Sequence, residues 1–401
     1  MTRAWNALAG TLFVVFVGAT PPAAAQPMPT EGPAINPSIY KVPAGARTVT
    51  VDCDDVKQTL AAALADKTAV DLNIVFSGTC KEYLTIERDR VAIRGKDATA
   101  TLVGGIEITS ARRVLLEGFL CRDNTQTDYC FGILENSSVT LHNIKVLNAG
   151  IRGVLFYNSV GLIDGLTIDK TGSTSMLIRG SDVRMEGELS FSNSLEGCLV
   201  IDTGTGVFSK IGRFTARDCA IGILVQQNAS LNAPFANFNV HHNTFAGLVI
   251  ATQSNMAYGG AIVAKNNAKS GIWVDDGSSI SPLSNIVSGS SVVLENNGDA
   301  GISVTQGSLA ELANVTTNTG SKYGLLIDDA RLRIGTSKFS GNQKADVRLQ
   351  FGAKATFLNN VDIAVVSCDA TALIRGSKAT CTRDEPTPSK TTAERATGDR
   401  K

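Results

Sequence analysis

Trp273, Asp275 and Asp328 are the residues in this chain best suited to hold a sugar. A flat indole face can pack on the apolar side of a pyranose, and carboxylates accept hydrogen bonds from hydroxyls. Trp273 and Asp275 alternate in the segment GIWVDD (271–276), so a strand would present both on one side. Asp328 holds the position matching Asp275 in the kindred segment GLLIDD (324–329), two repeats further on. At the ~4.8 Å spacing of neighbouring strands, two repeats separate the carboxyls by about 10 Å. Inverting hydrolysis of glycosidic bonds uses a gap of ~6.5–9.5 Å, so catalysis at this pair is open beside simple binding. Asp pairs before Gly or Ala are also ordinary strand-end turns. No catalytic residue is assigned.

Other reactive groups point elsewhere. The eight cysteines are even in number and fit an oxidising compartment. Locality pairs Cys53 with Cys80, Cys121 with Cys130, and Cys368 with Cys381. For Cys198 and Cys219 a bridge and two buried thiols are equally acceptable. There is no C-x-x-C, and the three histidines are His142 and the adjacent His241 and His242, which argues against a zinc site. No metal and no cofactor is expected. The His241–His242 pair is expected on a surface turn. Arg88, Arg90, Arg94, Lys96, Arg112 and Arg113 cluster early and could meet an acidic glycan, or could simply be solvated. G-x-S-x-G and phosphate-loop motifs are missing.

The elements that must position these groups follow from repetition. A small residue opens a short apolar strand at Gly132, Gly153, Ser175, Gly197, Gly222, Gly247, Gly271, Gly301, Gly324 and Ala345, mostly 21–25 residues apart. Such units cannot bury a face alone but can when each turn of chain stacks on the last. No unit has room for a helical solenoid, and propeller blades are longer. The expected fold is all-β, a right-handed parallel β-helix solenoid of about 12 coils. Asn193, Asn243, Asn267 and Asn297 each lie four positions before their Gly and read as a stacked amide ladder.

Alternation after each Gly sends the second and fourth residues outward. The second positions are Leu155, Leu177, Leu199, Leu224, Val249, Trp273, Ser303 and Leu326, and the fourth are Tyr157, Arg179, Ile201, Gln226, Ala251, Asp275, Thr305 and Asp328. The first series is an apolar stripe. It calls for a covering segment, a protein partner or a second copy of the chain.

Basic and acidic residues number 37 each, so nucleic acid is excluded as a partner. Residues 1–25 carry Arg3, an apolar run over 7–17 and small residues before Gln26, the pattern of a cleaved signal peptide. Export to the periplasm or the exterior follows, with no membrane span in the mature chain. Residues 26–45 read as a Pro-rich linker, 46–381 as the β-helix and 382–401 as a polar disordered tail. DDVKQTLAAALA (54–65) reads as a short capping helix with Asp54 as N-cap and Val56, Leu60 and Leu64 on one face.

The stretch IVFSGTCKEYLTIERDRVAIRGKDATATLVGG (74–105), followed by the Asn- and Gly-punctuated units, resembles the opening coils of secreted right-handed β-helix proteins of the pectate-lyase-like superfamily. The resemblance covers roughly residues 48–365 and implies contact with a polysaccharide; any enzymatic activity would be that of a polysaccharide lyase or glycoside hydrolase. The N-T-D, G-H-G and R-I-K segments of polygalacturonase-like members and the D-P-H-D of alginate-epimerase-like members do not occur, so no family active site carries over. The alternative is a non-catalytic structural or interaction protein that uses the apolar stripe.

Overall fold

Short strands end again and again on residues that accept left-handed backbone, such as Asn158, Gly180, Asn228, Asp276 and Asp329, and this keeps each strand from running on. The computed structural model describes residues 41–123, 128–283, 290–318, 320–358, 361–376 and 381–383. The expected signal peptide, most of the linker and the tail from 384 lie outside them. Among the described residues the chain coils into a right-handed parallel β-helix of about 14 turns. The expected count of about 12 roughly matches.

Each turn contributes to three parallel ladders. The first runs from Arg47–Asp52 and Leu72–Ser77 to Leu373–Arg375. The second includes Ala236–His241, Ala261–Lys265 and Ser291–Glu295. The third includes Arg152–Tyr157, Met176–Arg179, Ser270–Val274 and Tyr323–Asp328. Long strands such as Val160–Thr171 and Asp182–Ser194 serve the first and second ladders both, bending at a register shift after Asp164. Gly187 sits at that bend with φ +71°, and a Cβ there would stand 2.4 Å from Asp164 Oδ1.

Inward residues fill the bore. Phe76, Phe119 and Phe131 meet edge to face, and Phe214 stacks on Phe238 with centroids 4.9 Å apart. The amide ladder is present for three of its four members. Asn243 donates to Asn267 Oδ1 at 2.9 Å, and Asn267 donates to Asn297 Oδ1 at 3.0 Å. Asn193 is not one of them. It is exposed at φ 58°, donating to Asp169 Oδ1, and Ser194 takes the buried slot beside Thr171.

The capping helix is shorter than expected. It spans Leu60–Leu64, and Thr59 is the N-cap, accepting from the Ala62 N–H at 3.0 Å. Glu82 reaches from the next turn to accept the Leu60 and Ala61 N–H groups at 2.8 and 2.9 Å. Asp54 instead accepts from the Thr79 N–H at 3.3 Å, and Val56 is 92% exposed. The physical reason is local: Asp52 and Asp55 accept from nearby N–H groups and fold residues 52–58 as turns. Of the helix residues, Leu60 and Ala63 are buried.

Candidate functional site

The solvent-facing side of the third ladder carries the residues singled out for sugar contact. Register pairs Leu155 with Leu177, Leu177 with Val200, and Val200 with Leu224. The same column continues through Val249, Trp273, Ser303 and Leu326 to Arg348. Leu199 is therefore inward and fully buried, contrary to the Gly-based alignment. Gly197 pairs with Ile221 rather than Gly222, so Cys198 holds the slot that Ser175 fills in the turn before and Gly222 in the turn after. For the same reason Asp202, not Ile201, stands beside Arg179. Gly132 is likewise not an opener: it pairs with Leu155, and the Tyr129 ring occupies the place its side chain would take.

The apolar column is uneven. Leu177, Val200 and Val249 are buried, while Leu155, Leu224, Trp273 and Leu326 stay half-buried. Trp273 is held on two sides. Its Nε1–H donates to Thr305 Oγ1 at 3.0 Å, and its ring lies tilted against Phe245 with centroids 5.4 Å apart. Thr305 in turn donates to Asp275 Oδ1 at 2.5 Å. Thr305 pairs with Asp328 in register, so Asp275, Thr305 and Asp328 occupy successive turns of one column. Asp328 Oδ2 accepts from Gln350 Nε2 at 2.9 Å. The structure thus puts Trp273 and Asp275 into one hydrogen-bonded chain. It leaves Asp328 a turn beyond Thr305.

Two groupings on this face escaped the sequence. Arg179 Nε donates to Asp202 Oδ2 at 2.8 Å, and the Asp202 side chain has no solvent exposure. Nearer the N-terminal end, Tyr83 donates to Glu107 Oε2 at 3.0 Å and Tyr129 donates to the same oxygen. Burial, with the Glu107 carboxylate reinforcing it, pushes both phenols above the usual tyrosine range. Aligning turns by their buried residues, instead of by Gly, would have revealed both.

The early basic residues do not form one patch. Arg88 donates to the Asp66 and Ala69 carbonyls, Arg90 lies 3.7 Å from Asp71, and Arg94 pairs with Glu117. His241 and His242 are edge to face at a turn, as expected, and burial lowers the His241 pKa. Cys53, Cys80 and Glu82 converge, but the two sulfurs are bonded to each other and Glu82 caps the helix. The three expected disulfides are present, and Cys198–Cys219 is a fourth.

Comparison with known proteins agrees with this architecture. Residues 152–316 match the family model described as a right handed beta helix region. The chain is a right-handed parallel β-helix. The A-module of the Azotobacter vinelandii mannuronan C-5 epimerase AlgE6 superposes with a TM-score of 0.53 at 12% identity, covering 81% of this chain and 93% of that one. The periplasmic alginate epimerase AlgG gives 0.43 at 12% identity, covering 84% of each. An alginate lyase from Paenibacillus sp. gives 0.36 at 15% identity, covering 79% of this chain and 99% of that one. At these identities the likeness is one of fold. No curated protein is similar in sequence.

Proposed function

We propose that this β-helix is an exported protein that binds a polysaccharide along the solvent-facing side of its third ladder. The observation that carries the reading is the Trp273–Thr305–Asp275 chain. It fixes an indole beside a carboxylate on a half-buried surface, with Asp328 one turn further along the same column. Turns recur every ~4.8 Å, so a linear glycan lying along the axis meets a new pair of side chains at each turn. The AlgE6 module, an epimerase of mannuronan by name, shares the architecture and supports the substrate class. Four disulfides support export, with residues 1–25 as the signal peptide.

An array of uronate-containing and neutral polysaccharides, scored for binding and for unsaturated lyase product, separates binding from cleavage. Against a glycan the wild type binds, Trp273→Ala is expected to weaken affinity by about 1–3 kcal/mol. Its stability cost should stay below about 2 kcal/mol, because the ring is only half-buried. Unchanged affinity, or the ~3–5 kcal/mol loss of a fully buried aromatic, removes Trp273, Asp275 and Asp328 as a site. The competing reading, a protein partner or self-association through Leu155, Leu224 and Leu326, draws on the same half-buried column. It predicts a concentration-dependent mass in sedimentation.

A further inference from the structure

The two ends of the solenoid are finished differently. At the N-terminal end the Leu60–Leu64 helix packs on the first strands and buries Leu60 and Ala63. At the C-terminal end each ladder stops on a strand with one free edge. Val361–Ile363, Leu373–Arg375 and Cys381–Arg383 pair with the turn before and, among the described residues, with no strand beyond. Ile363 and Ile374 pack on the core over Phe339 and Ala355, which are 1% exposed. They are themselves only half-buried, as is Val361. Val365 and Leu373, close to them in sequence, are 48% and 43% exposed. The Cys368–Cys381 bridge holds the last strand onto its neighbour, so these edges are kept in place.

We infer that this end is an interface with a second copy of the chain, joined end to end about a two-fold axis perpendicular to the solenoid. A free strand edge exposes N–H and C=O groups that seek a partner strand, and a terminal coil leaves apolar bore residues in water. A cover for this end must supply both strand edges and apolar side chains. Residues 384–401 contain no Val, Ile, Leu, Met, Phe, Tyr or Trp, so they cannot extend the apolar bore by another turn. A second C-terminal end supplies both. The helix occupies the other end, so like end must meet like end. The two-fold reverses the sense in which the chain circulates, so facing edges run antiparallel, a regular hydrogen-bonding arrangement. Such a contact is self-complementary and stops at two copies instead of growing into a fibre. Asp362 and Arg375 on the last strands are both exposed, so each end offers both signs of charge to its copy.

Sedimentation and small-angle X-ray scattering of the full chain test this. Mass should double as concentration rises to about 100 μM, which covers the weak end of specific interfaces. The maximum dimension should grow by roughly 65–70 Å, the length of about 14 turns at ~4.8 Å each. Leu373→Lys and Val365→Lys, at exposed positions, should each weaken dimerisation at least tenfold and leave any glycan affinity unchanged. Circular dichroism of each variant must match the wild type, and should Leu373→Lys misfold, Val365→Lys decides alone. A monomer at every concentration overturns the inference. So does a dimer that survives both changes; its loss in Leu224→Lys, with no gain in length, would place the contact on the third ladder. Masses that keep growing past two copies overturn it equally, since the contact would not close.

Discussion

Asn267 and Asn193 are the same residue at the same distance from a following Gly, yet only one is structural. Asn267 is 1% exposed and its amide serves both neighbouring turns: its oxygen accepts from Asn243, and its nitrogen donates to Asn297 Oδ1 and to the Val240 carbonyl. Removing it leaves several buried groups without partners, at ~1–3 kcal/mol each where no relaxation helps. Asn267→Ala should therefore cost about 2–4 kcal/mol in urea unfolding. Asn193→Gly, exposed and left-handed, should stay within about 0.5 kcal/mol, since Gly takes that backbone freely. Equal losses at the two sites would contradict the ladder. The spacing to Gly was legible in sequence. The burial that separates the two was not, because the Cys198 turn is offset by one residue against its neighbours.

Among elements, the capping helix shows how a partner from elsewhere sets a boundary. Amphipathic spacing over 54–65 pointed to a helix starting at Asp54. The helix forms only where the Glu82 carboxylate, 22 residues later in sequence, meets the first free N–H groups at Leu60 and Ala61. Thr59→Ala should cost about 1 kcal/mol by loss of the N-cap bond. Val56→Ser should cost less than about 0.5 kcal/mol, as expected for a side chain almost wholly in water. A Val56 loss as large as that of Thr59 would restore the longer helix. The third ladder teaches the same lesson. Its outward columns were read correctly for Leu155, Leu177, Leu224, Trp273 and Asp275, and missed at Leu199 and Ile201, where one extra residue turned the alternation over.

For the whole molecule, stacking order and cross-links act together. Cys53–Cys80 ties the N-terminal turns, Cys368–Cys381 the C-terminal ones, and Cys121–Cys130 and Cys198–Cys219 staple the turns between. Non-reducing peptide mapping of secreted protein should return these four bridges with no free thiol, and an N-terminal peptide beginning at Gln26. A free Cys121 or Cys130 would undo the local staple, and an uncleaved leader would undo the export reading. Each native bridge in a small secreted domain is worth ~2–5 kcal/mol, so reduction should lower the unfolding midpoint markedly.

Composition and the recurrence of Gly with short apolar runs determined the fold class by themselves. Each is a local or statistical property, and a chain of three-strand turns has one economical way to bury its apolar faces. Local spacing also found Cys121–Cys130 and the Trp273–Asp275 side of a strand. What the sequence left open depends on register between turns. The Arg179–Asp202 pair and the Tyr83–Glu107–Tyr129 group join residues 22–24 positions apart in sequence. A single inserted residue moves a side chain from bore to solvent, and only the stacked structure fixes which residues share a column.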